Sequence, residues 1–135
     1  MVSKIKSGQK EKESKKIKHK FLKQIGFVLL ITSIATFIDF LVHSSSASFY
    51  VPFEYYQNKV IFATIWGMVI LFVVRKMKNM HLKSFIFSLF IAAVLQVKYF
   101  FQGYDLFFVI LFLFLHFLMF LVPSWIIFNK YKEYF

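Results

Sequence analysis

Asp39, His43, Glu54, Asn58, Lys59, Gln96 and His116 are the side chains of this sequence that can move a proton, hold an ion or polarise a bond, set among long apolar runs. Five of them crowd into one stretch, Asp39 to Lys59, which reads DFLVHSSSASFYVPFEYYQNK. Asp39 and His43 are four apart, as are Glu54 and Asn58, so each pair shares one face of a helix. A carboxylate beside an imidazole suits a proton relay or an ion or solute pathway, because histidine titrates near physiological pH and ionisable groups within membrane spans mark such pathways. The same atoms offer weak ligands for a divalent metal (His43, His116, Asp39, with Glu54 in support) or an acid and base acting on a lipid. No HExxH, GxSxG, P-loop or dinucleotide glycine pattern occurs, and the four glycines are scattered. No metal site or cofactor is therefore predicted, and no residue is assigned a catalytic role.

The elements that must hold these groups are apolar helices. The 135 residues are 59% hydrophobic and 22% aromatic, with mean hydropathy +0.66, against about 45–50% apolar in a soluble domain. That surplus needs lipid. Four runs, about 24–42, 55–74, 84–101 and 105–128, are each long enough to cross a hydrocarbon core of about 30 Å. Pro52 suits the first turn of the second helix, and Pro123 is expected to bend the fourth near its far end. The first run has a rival reading as a cleaved signal peptide, with Ser45, Ser46 and Ala47 as the small residues. It is longer than a usual signal core and carries Asp39, so an uncleaved helix is expected. Short connections make neighbouring helices antiparallel. The expected fold is an all-α, polytopic membrane protein with a four-helix transmembrane bundle. Ala63 with Gly67 and Ser88 with Ala92 have the spacing that lets helices approach closely, whereas the fourth helix, nearly all Phe, Leu, Ile and Val, suits lipid or a partner subunit. The 21 phenylalanines read as lipid-facing bulk. With no cysteine there is no disulfide, thiolate ligand or thiol nucleophile, and the redox compartment is undetermined.

Charge sets the orientation. Residues 1–23 hold nine lysines against Glu11 and Glu13, too polar to fold alone and expected to be disordered or a frayed helix until they meet a surface. With Arg75, Lys76, Lys78 and Lys83 in the second connection and Lys130 and Lys132 near the C-terminus, fifteen of the 17 basic residues fall on one side. Only Lys59 and Lys98 fall on the other. The positive-inside rule then places both termini in the cytoplasm. Tyr50, Tyr55, Tyr56, Tyr99 and Tyr104 mark the outer boundary, and Tyr131 and Tyr134 the inner one. Lys15, Lys16, Lys18, Lys20, Lys23, Arg75, Lys76 and Lys78 are expected to meet anionic lipid headgroups. Nucleic acid is a poor partner for the tail, which offers only Phe21 for stacking.

In this topology Asp39 and Gln96 lie at similar depth and His116 deeper, so the polar groups converge on one outward-facing cavity if their helix faces turn inward. The plainer alternative is pairing. Lys59 or His43 neutralises Asp39, Lys98 snorkels to headgroups, Glu54 and Asp105 serve helix N-termini, and His116 makes an interhelical hydrogen bond. Three classes of function remain: binding or transport of a small solute, ion or proton, which for four helices calls for a homo-oligomer; a membrane enzyme acting on a lipid; and an accessory subunit with a membrane partner.

Overall fold

The computed structural model describes residues 2–45 and 51–135, with side chains from residue 13 onward. Ser46 and Ala47, small residues of the signal-peptide alternative, and Tyr50 of the expected aromatic boundary lie outside the described residues. Helix α1 spans Val2–Ser44, α2 Phe53–Val73, α3 Met80–Phe101 and α4 Leu106–Lys130, with short 3-10 turns at Val74–Lys76 and Lys132–Tyr134. Among the described residues there are four helices long and apolar enough to cross a membrane and no strand.

Each helix turns a stripe of three- and four-residue spacing inward. On α1 the stripe is Val28, Ile31, Thr32, Ala35, Thr36, Asp39 and His43, while Leu29, Leu30, Phe37 and Leu41 stay exposed. On α4 it is Val109, Phe112, His116, Met119, Phe120 and onward to Phe128. The outer faces are as apolar as the inner ones, so burial follows the positions of small and polar residues more than hydrophobicity; a helix that is apolar all round is one whose surroundings are apolar too.

The ends are set by caps. Asn79 Oδ1 accepts from the backbone N–H of His81 and Leu82 at 3.0 and 3.1 Å, which starts α3 at Met80, a full turn before its apolar run. Asp105 Oδ1 does the same for Phe107 and Phe108 on α4, satisfying donors that a helix start otherwise leaves open. Gly103 turns the chain between α3 and α4 at φ +76°, a conformation glycine adopts without steric cost.

The helices pack in a ring, α1 on α2, α2 on α3, α3 on α4 and α4 on α1; α3 with α4 is the most extensive pair and α2 with α3 the slightest. Gly67 sits where α2 meets two neighbours, for a Cβ there would lie 2.7 Å from Val28 Cγ1 and 3.3 Å from the Phe87 ring. Ser88 Oγ lies 3.0 Å from Ser124 Oγ, so α4 does contribute a small contact residue, beside the buried Pro123. Helix α4 continues through Pro123 to Lys130. At that end of the bundle Phe27 stacks on Tyr131 at 4.5 Å, Gln24 Nε2 donates to Tyr134 O at 2.6 Å, and the buried Lys83 donates to Phe135 O at 2.8 Å.

Candidate functional site

At the opposite end each helix delivers one polar side chain to a common point. The register explains how. On α2, Lys59 belongs to the inward stripe with Tyr56, Ala63, Gly67 and Ile70; on α3, Gln96 continues Phe87, Ser88, Ile91 and Ala92. Asp39 comes from α1 and His116 from α4. All four are buried, with Asp39 at 0%, His116 at 1%, and Lys59 and Gln96 at 3% exposure.

The contacts form a closed network centred on His116. Asp39 pairs with Lys59 through Oδ2 at 2.6 Å and approaches His116 Nε2 through Oδ1 at 3.2 Å. Lys59 Nζ lies 2.7 Å from the same Nε2, and Gln96 Nε2 lies 2.7 Å from Nδ1 on the far side of the ring. His43 stands one turn beyond Asp39, its Nε2 3.7 Å from Oδ1. Its ring stacks on Phe112 at 5.8 Å and meets Tyr55 edge-on at 5.7 Å. The buried hydroxyl of Thr36, three residues before Asp39, and the Oε1 of Gln96 have no hydrogen-bond partner among the described residues.

Hydrogen-bond inventory limits how protons can be arranged here. With Gln96 donating to Nδ1, the imidazole proton sits on Nε2 and faces Asp39, and Lys59 can share that proton only as a neutral amine. Rotating the Gln96 amide presents Oε1 to a proton on Nδ1. Nε2 then becomes an acceptor, and Lys59 as an ammonium donates to it while remaining paired with Asp39. The second arrangement holds one more proton than the first, so passing from the first to the second takes up one proton from outside the network, together with a change of imidazole tautomer and an amide rotation.

Glu54 and Asn58 are not part of this network. At about 100° per residue, Asn58 is turned about 100° and Glu54 about 140° from Lys59, and both are exposed. They line a separate cleft of about 500 Å³ between α2 and α3 together with Lys98, Tyr99, Phe62 and Leu95, with Lys59 at its floor. Lys59 therefore touches both features. Lys59 Nζ lies between Asp39 Oδ2 and His116 Nε2, at 2.6 and 2.7 Å, and the described residues contain no group of three or more His, Asp or Glu arranged to hold a metal ion. The basic residues Lys15, Lys16, Lys18, Lys20, Lys23, Arg75, Lys76 and Lys78 are exposed.

The sequence reading did not single out Thr36. Its signal was available in the spacing Thr32, Thr36, Asp39, His43, a polar line along one face of an otherwise apolar helix. Tyr55 and Tyr99, read only as boundary residues, in fact wall the cleft above Lys59. Comparisons of this chain with protein-family models, curated proteins and solved structures give no match.

Proposed function

We propose that the chain is a multi-pass membrane protein with both termini on the cytoplasmic side, and that Asp39, Lys59, Gln96 and His116 form an intramembrane proton-binding site serving proton or proton-coupled ion transport. The observation that carries this reading is the contact network around His116. Three ionisable side chains from three helices meet within 2.6–3.2 Å inside an apolar bundle, and a fourth helix supplies an amide able to follow the imidazole tautomer. Pairing alone needs only one cation for one carboxylate. A third titratable group adds desolvation cost without adding neutrality, which is the arrangement expected where a proton is loaded and released.

The orientation rests on the distribution of basic residues. The Arg75 to Lys83 connection and Lys130 and Lys132 lie at the end of the bundle away from the network, and the exposed Lys15 to Lys23 segment of α1 precedes its apolar stretch at that same end. His43, in its aromatic surround, then stands between the network and the outer surface. Exposed apolar side chains such as Phe37, Phe72, Phe107 and Ile126 suit contact with lipid or with a second copy.

The experiment is proton flux into vesicles holding the purified protein, followed by a trapped pH-sensitive dye under a potassium diffusion potential. The wild type should acidify the lumen at least tenfold faster than protein-free vesicles, and Asp39→Asn and His116→Gln should each fall to the protein-free rate while eluting as the wild type does in size exclusion. Rates for both variants equal to wild type, or a wild type no faster than empty vesicles, would remove this reading.

A further inference from the structure

We propose that the cleft between α2 and α3 binds one zwitterionic phospholipid, its headgroup held by Glu54, Asn58 and Lys98 and an acyl chain lying on Phe62 and Leu95. The cleft opens where the helix ring is least closed, since α2 and α3 make the slightest contact of the sequential pairs. Its volume of about 500 Å³ is within the common range for ligand pockets, about 300–1,000 Å³.

Charge decides the headgroup. Three charged side chains line the cleft: Glu54, Lys59 and Lys98. Lys59 is committed at the floor to Asp39 at 2.6 Å, which leaves one exposed carboxylate and one exposed ammonium at the rim. A balanced rim favours a ligand with one charge of each sign, its phosphate near Lys98 and its amine near Glu54, with the Asn58 amide able to donate to phosphate oxygen. An anionic lipid would meet Glu54 with no compensating second cation.

Shape decides between a lipid and a soluble zwitterion. Phe62 lies eight residues beyond Glu54, about 12 Å farther along α2, and with Val94 and Leu95 it extends an apolar wall toward the middle of the bundle. A headgroup alone does not reach that wall, whereas an acyl chain entering sideways from the bilayer does. This site is separable from proton binding, because Glu54, Asn58 and Lys98 make none of the contacts around His116.

The test is native mass spectrometry of the full chain released from nanodiscs of equal phosphatidylethanolamine and phosphatidylglycerol. One ethanolamine lipid should survive delipidation at least tenfold more often than a glycerol lipid. Lys98→Gln, and separately Leu95→Trp, which fills the apolar wall, should each reduce that adduct at least fivefold, with elution and melting temperature as controls on folding. Equal retention of both lipids by the wild type overturns the proposal without recourse to any variant. So does full retention by folded Leu95→Trp, or displacement of the lipid by soluble glycerophosphoethanolamine at equal concentration, which would assign the cleft to a soluble zwitterion. His116→Gln, which leaves the Lys59–Asp39 pair in place, should keep the lipid adduct whatever it does to proton flux, so failure of one proposal is distinguishable from failure of the other.

Discussion

Replacing Lys59 by methionine keeps most of the length of the side chain and removes its charge, leaving the Asp39 carboxylate buried with only imidazoles nearby. The cost can be bounded from two sides. Hydrogen bonds between membrane helices average about 0.6 kcal/mol, whereas removing one partner of a buried ion pair costs about 3–5 kcal/mol because the other charge is stranded. Asp39 is fully buried and its Oδ2 lies 2.6 Å from Nζ, so the second figure governs. The carboxyl can escape by taking up a proton, at about 1.4 kcal/mol for each pH unit above the ordinary carboxylate range, which caps the penalty near 4 kcal/mol at pH 7. The folded variant then holds a proton that the unfolded chain releases, so its stability rises as pH falls. Acidification from pH 7 to 5.5 should restore about 2 kcal/mol. The assay is equilibrium unfolding in mixed micelles at both pH values, wild type beside Lys59→Met. A variant as stable as wild type at pH 7, or one whose deficit does not change on acidification, would refute the assignment of Lys59 as counter-ion to a buried carboxylate.

Two further outcomes follow from the packing. Gly67→Ala should destabilise the bundle by about 1–3 kcal/mol by overpacking against Val28, since the new Cβ would lie 2.7 Å from its Cγ1; adding Val28→Ala should recover most of the loss in the same unfolding assay, and a Gly67→Ala protein of wild-type stability would show that α1 can shift freely. Asn79→Ala removes the cap that accepts from His81 and Leu82 and should cost about 0.5–2 kcal/mol, with hydrogen exchange accelerating in the first turn of α3 and nowhere in α4.

The four apolar helices were legible because their hydrophobic surplus exceeds that of an ordinary soluble domain, and composition does not depend on how the helices pack. The polar network was less legible. Asp39 and His43 share a face by spacing alone, but whether Lys59 or Glu54 answers from α2 depends on the rotation of that helix, and hydropathy cannot supply it when every face is apolar. The small residues could have. Lys59, Ala63 and Gly67 fall four apart, and placing Ala63 and Gly67 at a helix contact turns Lys59 inward and Glu54 and Asn58 away. Helix α3 begins a turn before the apolar span of about 84–101 for a different reason. Its first turn is polar, and the Asn79 cap carries the helix a turn past the apolar boundary.

Structural pairing and proton binding make the same contacts and differ in what the surplus groups are for. If Asp39 and Lys59 only neutralise each other across the α1–α2 hairpin, replacing both together by Asn and Met removes two charges at once. Stability should then return to within about 1 kcal/mol of wild type, as replacement of a buried pair by uncharged residues often allows. Proton binding predicts that same recovery of stability but no recovery of flux, because His116 and Gln96 would remain in place with neither the carboxylate nor the amine to exchange a proton with. A double variant that is both stable and fully active would reduce the network to a structural clasp. One that is stable and silent would separate the two roles, since the fold needs neutrality at this point while transport needs the titratable groups themselves.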